Sequence, residues 1–564
     1  MKFSTFSALC ANLENTSSTT GKTTMISDFL STIPQEQIES TIRLLAGIPV
    51  YPPELKSGIG DSTIKQAIAD ILNLPLIEVT KALKESGDIG TATMTLLKKK
   101  NLKKQSTLAA FEDQSSTWSI SQINEQFNTI ASTNGALSSS KKTQIFSSLL
   151  TSLSPQEAKY VCRLALEDLR IGVAASTIIN AIAEYTQINA EIIERAYNLT
   201  NDIGMIASLA ITKGQTELTS IQPETGRYIR VMLGQTSKDS LESIIKSTEK
   251  PACEWKYDGA RLQIHKKGKN VKLYSKKPED ITNSLPDIVK AVQKQILCEE
   301  AILEGEVVAI DDKGNPLPFK TVMQRIRRKN NISAYVQSTP LCVYLFEILK
   351  NENESLIDLP LHLRRKQLEK IISPSENINL SKQLTTTNTI EIEQMYTEAL
   401  QAGHEGIMIK NLMSPYTAGK RGKDWIKKKP LMNNLDLVIT GGEWGQGRRT
   451  NVIGSFTLSC LDPTTNTYLS VSKIGTGISD ELLQSLTETL RPYIEYETGT
   501  EIKISPKVVL EVSYEEIQES PKYNSGYSLR FPRLVNVRDE KGPDAIDQIH
   551  TIKRLFREQS RTIG

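Results

Sequence analysis

The chain is 564 residues long and carries 68 Lys and Arg against 65 Asp and Glu, a formal net charge of +3. Its 38% hydrophobic and 24% charged residues are those of a globular protein. The length leaves room for about three or four domains, and the charge balance excludes a wholly basic or an acidic solvating chain. Aromatic residues make up 6%, too few for a long stacking platform, so a polyanion would be held locally and through its phosphates.

The first residues, MKFSTFSALCANL, are interrupted by serines, and no run of about eighteen apolar residues occurs, so neither a signal peptide nor a membrane span is expected. Cys10, Cys162, Cys253, Cys298, Cys342 and Cys460 lie far apart, without the spacing of a structural zinc site and at a density that suits a reducing cytoplasm. Gly21-Lys22-Thr23 imitates the end of a phosphate-binding loop. The earlier glycine that such a loop needs is Thr16 here and no apolar strand precedes it, so a solvated turn between helices is expected. Up to about residue 215 apolar residues recur at helical spacing, as in Ile64, Ile68, Ile71 and Leu72, which predicts an all-helical region. Ser154-Pro155-Gln156-Glu157 has the pattern of a capped helix start, followed by a stripe of Val161, Leu164 and Leu169. Residues 213–227 are polar and without apolar periodicity, and a domain boundary is expected there.

From residue 230 to about 430, short alternating or apolar runs (261–264, 271–274, 302–310 and 341–346) mix with helical segments, the texture of an α+β domain. After Leu435 short strands are separated by glycine-rich turns, at 436–440, 455–459 and 508–514, with one helical stretch at 480–490. A small β-barrel is expected. No repeat of fixed period occurs, which disfavours a solenoid or propeller.

Glu254-Trp255-Lys256-Tyr257-Asp258-Gly259-Ala260-Arg261 places a lysine on a turn between a carboxylate and a returning strand. An amine that attacks phosphorus must lose its proton from a reference pKa of about 10.4, which nearby cations or a metal can promote. Alone, a lysine beside an aspartate is more often a surface ion pair. Glu304 and Glu306, two apart in an apolar strand, would share one face and suit a divalent cation, or else form a charged sheet edge. Glu405, within Gly403-His404-Glu405-Gly406-Ile407-Met408-Ile409-Lys410, could complete an oxygen site for magnesium. Lys427 and Lys429 share a strand face within a run of basic residues at 420–429, and a similar excess occurs at 320–329. An anionic partner would relieve their repulsion. Arg530 and Arg533, in Arg530-Phe531-Pro532-Arg533, can offer two guanidiniums to a pyrophosphate.

Taken in order, the Lys256 turn, the Glu304/Glu306 strand, Phe346-Glu347, Glu405 to Lys410, Trp425 to Lys429 and Arg530 to Arg533 resemble the ATP-dependent DNA ligases, closest to the archaeal type. The resemblance spans nearly the whole chain. It implies a helical DNA-binding domain at 1–215, an adenylation (nucleotidyltransferase) domain at 216–430 and an OB-fold domain at 431–564. It also implies nick sealing in duplex DNA during replication, repair and recombination. Lys256 would attack the α-phosphate of ATP to give lysyl-AMP, AMP would pass to the 5′-phosphate of a nick, and the 3′-hydroxyl would then displace AMP.

In the same reading Glu254 contacts adenine, Arg261 and Glu306 lie on the ribose side, and Phe346 stacks on the base. Arg421 and Lys427 hold phosphate, Lys276 belongs to the nucleotide-binding set, Glu306 and Glu405 bind Mg2+, and Arg530 with Arg533 orients pyrophosphate. Lys276 stands where the family usually has arginine, keeping the charge without the fork. The family's NAD-dependent counterparts use a cysteine zinc module that this chain lacks, which favours ATP. A monomer acting on nicked duplex is expected, in the cytoplasm. Gln105, Leu108 and Phe111 resemble the peptide that docks on a sliding clamp, although Glu112 replaces its second aromatic. The alternatives are an RNA ligase or an mRNA-capping enzyme, which the long helical region disfavours, and a catalytically dead clamp on DNA, which the retained Lys256, Glu306 and Lys427 disfavour.

Overall fold

The computed structural model describes residues 1–52, 55–104, 118–135, 137–237, 239–328, 331–430, 434–445, 449 and 451–561. Gln105, Leu108 and Phe111 lie outside them.

Helices from Phe3–Asn15 to Gln215–Ser220 build the first region around one apolar core running from Phe3 to Leu218. The local signals explain the elements. Helix Pro155–Ala165 begins on a capping box in which Ser154 Oγ accepts from Glu157 N and the Glu157 carboxylate accepts from Ser154 N at 3.0 Å. Such a cap stabilises by about 1 kcal/mol. Val161, Leu164 and Leu169 are buried, as are Ile64, Ile68 and Leu72 on helix Asp61–Leu72.

One expectation is corrected here. Gly21-Lys22-Thr23 is no solvated turn: it lies inside helix Thr19–Leu30, and the buried Lys22 ammonium donates to the carbonyls of Ile171 at 2.6 Å and Gly172 at 3.1 Å. The polar stretch at 213–227 contains helix Gln215–Ser220, because Leu218 inserts into the helical core and supplies the anchor that periodicity did not reveal.

The middle region carries β1 (Leu233–Thr236), β2 (Pro251–Lys256), β3 (Ala260–Lys267), β4 (Asn270–Ser275), β5 (Glu300–Ala309), β6 (Leu341–Asn351), β7 (Glu354–Ser355), β8 (Ile378–Leu380), β9 (Gln383–Thr385), β10 (Gly406–Asn411) and β11 (Arg421–Lys428). One sheet has the order β1-β11-β10-β2-β9 and the other β4-β3-β5-β6-β7, with β8 alongside β6. The chain leaves the first sheet at Lys256 and joins the second at Ala260. Lys256 therefore stands at the seam. Gly259 makes the crossing possible, since a Cβ there would lie 2.4 Å from the Val307 carbonyl oxygen.

The last region contains β12 (Leu435–Trp444), β13 (Ile453–Asp462), β14 (Thr467–Ile474), β15 (Ile494–Thr498), β16 (Glu501–Ile504), β17 (Val509–Ser513), β18 (Glu516–Glu519), β19 (Tyr527–Arg530) and β20 (Arg533–Val537). Helices Asp480–Leu490 and Ile549–Arg561 complete it. β12 pairs with β17 along its first half and with β16 along its second, over a core that includes Leu437, Phe456 and Val471.

The regions meet through specific contacts. Arg230 donates to Tyr197 Oη at 2.6 Å, Arg195 pairs with Asp358 at 2.8 Å and Lys420 with Glu194 at 3.1 Å. A Cβ on Gly419 would lie 2.5 Å from the Asn198 side chain. A cleft between the helical and strand-rich regions is lined in part by Lys65, Lys81, Lys84, Arg170 and Arg491. Among the described residues no helix is long and apolar enough to cross a membrane.

Candidate active site

Alternation along β2 turns Cys253 and Trp255 into the core beneath helix Thr389–Gln401 and leaves Glu254 and Lys256 on the other face. Glu254 is buried. Its carboxylate accepts from Lys410 at 2.7 Å, Gln383 at 2.8 Å and Ser381 at 3.1 Å. The Lys410 ammonium lies 4.7 Å from the centre of the Phe346 ring and 4.5 Å from that of Trp425. Burial pulls Lys410 below the ordinary lysine range, with Glu254 opposing the shift. The Arg261 guanidinium lies against the same two rings, at 5.2 and 5.5 Å, and donates to Glu304 at 2.6 Å and to the Met232 carbonyl at 2.7 Å. Phe346 and Trp425 meet edge to face, with centroids 6.1 Å apart. An aromatic wall with a carboxylate and a guanidinium at its margins suits a flat heterocycle.

Glu304 and Glu306, expected as a pair, have different fates. Glu304 is fully buried, and Arg261, Gln263 at 3.1 Å and Tyr416 at 2.8 Å all donate to it. A carboxylate satisfied in this way holds Arg261 in place and has little left for a metal. Glu306 stays half-buried, in electrostatic reach of Lys256, Arg261, Glu405 and Asp258.

Lys256 is the last residue of β2 and pairs with Gly406 of β10. Gly406 has φ +129°, and a Cβ there would meet the Lys428 carbonyl at 2.3 Å, so the close approach of β10 to β11 beside Glu405 requires glycine. Glu405 makes an ion pair with Lys256 and a second with Lys429 at 3.0 Å. Burial alone would lower the Lys256 pKa, but Glu405 and Glu306 outweigh it and hold the amine above the ordinary lysine value. The free protein therefore keeps its lysine charged, contrary to the expected influence of nearby cations. Burial would raise Glu405, yet Lys256 and Lys429 bring it down to about 2. Burial pushes Glu306 up to about 7, with Glu405 and Asp258 adding to the rise, and pushes Asp258 up to about 6.

Cations gather beside this lysine. Lys427 is pulled down to about 8, first by burial and then by Lys256, Lys276, Arg421 and Lys429. Among the described residues its ammonium has no ion-pair or hydrogen-bond partner. Lys276 is lowered by burial and by Arg261 and Arg421. Positive charges that depress one another form a site that an anion stabilises. Of the two arginines near the C-terminus, the structure brings in only Arg530, which reaches Glu516 at 3.0 Å, Asp258 at 3.4 Å and Glu405 at 3.6 Å. Arg533 begins β20, is exposed and makes no ion pair among the described residues.

A divalent ion fits this chemistry. The carboxyls of Glu306 and Asp258, raised first by burial and then by the neighbouring Glu405, are short of positive charge. Among the described residues no group of three or more His, Cys, Asp or Glu forms a cage, so an ion would draw further oxygens from phosphate and water, as Mg2+ commonly does. Sequence reasoning gave no role to Asp258, Tyr416, Phe319 or Glu516. Asp258 and Tyr416 sit beside motifs already singled out, but Phe319 and Glu516 carry no local signal.

Three family models match the chain: "DNA ligase N terminus" at residues 2–183, "ATP dependent DNA ligase domain" at 231–429 and "ATP dependent DNA ligase C terminal region" at 449–541. The chain is 40% identical over 568 residues to DNA ligase 2 of Methanosarcina acetivorans, covering 100% of both. It is 41% identical over 561 residues to the DNA ligase of Archaeoglobus fulgidus, covering 99% of each. The solved structure Pmar-Lig_PreS3 shares the fold, with a TM-score of 0.59 at 16% identity, covering 94% of this chain and 99% of that one. With helical, adenylation and strand-rich regions in this order, and these relatives along its full length, the chain belongs to the ATP-dependent DNA ligase family.

Proposed function

We propose that Lys256 is the nucleophile of this ligase. Its Nζ attacks the α-phosphorus of ATP, the N–P bond forms as the bond from phosphorus to the bridging oxygen breaks, and pyrophosphate leaves. The ammonium first gives up one proton to water, and a second leaves the nitrogen to water as the phosphoramidate forms. The acids that hold the first proton, Glu405 and Glu306, have to be drawn to other positive charge before the amine is free. Mg2+ held by Glu306 and Glu405 would supply such charge and neutralise phosphate oxygens. Glu254 and Arg261 orient the nucleoside against Phe346, while Lys276, Arg421 and Lys427 take the phosphates. The adenylate then passes to the 5′-phosphate of a nick, and the 3′-hydroxyl displaces AMP to close the strand. Positioning and charge neutralisation carry each transfer.

The observation that carries this reading is the Lys256–Glu405 ion pair at the seam of two sheets, with Lys427 unpaired beside it. Intact mass after incubation with ATP and Mg2+ tests it: the protein should gain one adenylate and Lys256→Ala none. An adduct that survives Lys256→Ala would remove the assignment.

The same reading divides the chain into 1–215, 216–430 and 431–564 and has it act in the cytoplasm as a monomer. The cleft between the helical and strand-rich regions is lined by six Lys and Arg against four Asp and Glu, a modest positive surplus that supports contact with the phosphates of nicked duplex DNA. We also propose sliding-clamp docking through Gln105, Leu108 and Phe111. Unchanged clamp pull-down by a Leu108→Ala/Phe111→Ala protein would retire that idea.

A further inference from the structure

Lys276 stands one residue beyond β4. The ladder between β3 and β4 ends at the pair Leu262–Ser275, and Ser275 N turns away to the Glu279 carbonyl at 3.1 Å, so Lys276 lies past the last pair of the sheet. A distant hydroxyl fixes its backbone: Tyr228 Oη donates to the Lys276 carbonyl at 2.5 Å. The Lys276 side chain is exposed and faces the charges of Arg261, Arg421 and Lys256. An ammonium on a flexible four-carbon stem, pressed by like charges, becomes a directed contact only where the root of the stem is held.

Tyr228 is itself firmly seated. It belongs to the segment that joins the helical region to the middle one, and that segment is fastened on both sides of it. Gly226 N donates to His265 Nδ1 at 3.0 Å, and the Gly226 carbonyl accepts from Tyr274 Oη at 2.7 Å. The Gln263 side chain accepts from Ile229 N at 2.9 Å and donates to the Ile229 carbonyl at 3.0 Å. Arg230 N donates to the Asn198 carbonyl of the helical region at 2.9 Å. The Tyr228 ring meets Tyr274 edge to face, with centroids 5.8 Å apart. Burial raises the phenol, so Oη keeps the proton that it donates.

We propose that Tyr228 is a positioning residue for Lys276. Its hydroxyl fixes the backbone from which Lys276 reaches the phosphates beside Lys256, and through this one bond the segment between the helical and middle regions takes part in the cation site. This rests on Lys276 being one of the cations that take phosphate.

Single-turnover kinetics on the full chain follow lysyl-AMP formation from labelled ATP and transfer of AMP to a nicked duplex. Tyr228→Phe, which keeps the ring, should slow about fivefold the step that Lys276→Ala slows most, and leave the other within about twofold. Tyr228→Phe/Lys276→Ala should be no slower than Lys276→Ala alone, because the hydroxyl acts through the lysine. Tyr228→Phe/Lys276→Arg should recover to within about twofold of Lys276→Arg, whose fork is directed by the phosphate that it binds. A Tyr228→Phe protein as fast as its parent in both steps, a loss in the step that Lys276→Ala spares, additive losses in the first double variant, or no recovery in the second would overturn the proposal. A Lys276→Ala protein unimpaired in both steps would instead defeat the reading beneath it.

Discussion

Replacing Lys427 with methionine should stabilise the unliganded protein while weakening its hold on phosphate. The site pulls Lys427 from an ordinary value of 10.5 to about 8, chiefly through burial and then through Lys256, Lys276, Arg421 and Lys429. Keeping an ammonium there at neutral pH costs about 3 kcal/mol if the whole depression counts, at about 1.4 kcal/mol per pKa unit. The side chain is only partly buried, so solvent screening reduces the measurable part to about 1–2 kcal/mol. Methionine keeps most of the stem and removes the charge. In the unfolded chain the lysine holds its proton up to about 10.5, whereas in the fold it gives it up near 8. Between those values the unfolded state binds more protons, so the unaltered protein gains stability as pH rises. The advantage of Lys427→Met should be complete below about pH 8 and gone above about 10.5. Thermal unfolding without ATP, at neutral pH and near pH 10, measures this as the difference between the two proteins, at roughly 2–4 °C per kcal/mol for a domain of this size. A variant no more stable than its parent at neutral pH, or an advantage that persists undiminished at the higher pH, would refute the reasoning.

Glu347→Ala should destabilise the middle region by about 3–5 kcal/mol, because it strips the fully buried Arg364 of its carboxylate partner at 2.8 Å. Urea unfolding checks this, and a loss below about 1 kcal/mol would contradict it. Glu306 is pushed up to about 7, so it is a neutral acid below that pH and a carboxylate above it. Lysyl-AMP formation with ATP and Mg2+ should therefore rise with pH through about 7, and Glu306→Gln should flatten that limb. An unchanged pH profile in the variant would assign the limb to another group.

Local chemistry was legible where the responsible groups are neighbours in sequence. Ser154 and Glu157 cap each other three residues apart. The alternation that puts Glu254 and Lys256 on one face needs only β2. The resemblance to a known family rested on such short segments, and the comparisons bear it out along the whole chain. Features that depend on distant partners were not legible. Lys22 is buried by carbonyls in a loop far downstream, at a separation of 150 residues for Gly172. Glu304 is claimed by Tyr416 across 112 residues, and Arg530 meets Asp258 across 272. The protonation of Lys256 could not be foreseen either, since it depends on whether acids or cations lie nearer, and Glu405 and Glu306 outweigh the basic cluster.

Residues 416–421 do double duty. Tyr416 braces Glu304, Gly419 presses on Asn198, Lys420 pairs with Glu194, and Arg421 adds to the positive charge felt by Lys427. A chimaera that swaps the helical third for that of a relative would break this loop's footing and carry the mismatch straight to the cations beside Lys256. Grafts between these enzymes should transplant 416–421 together with the helices it leans on.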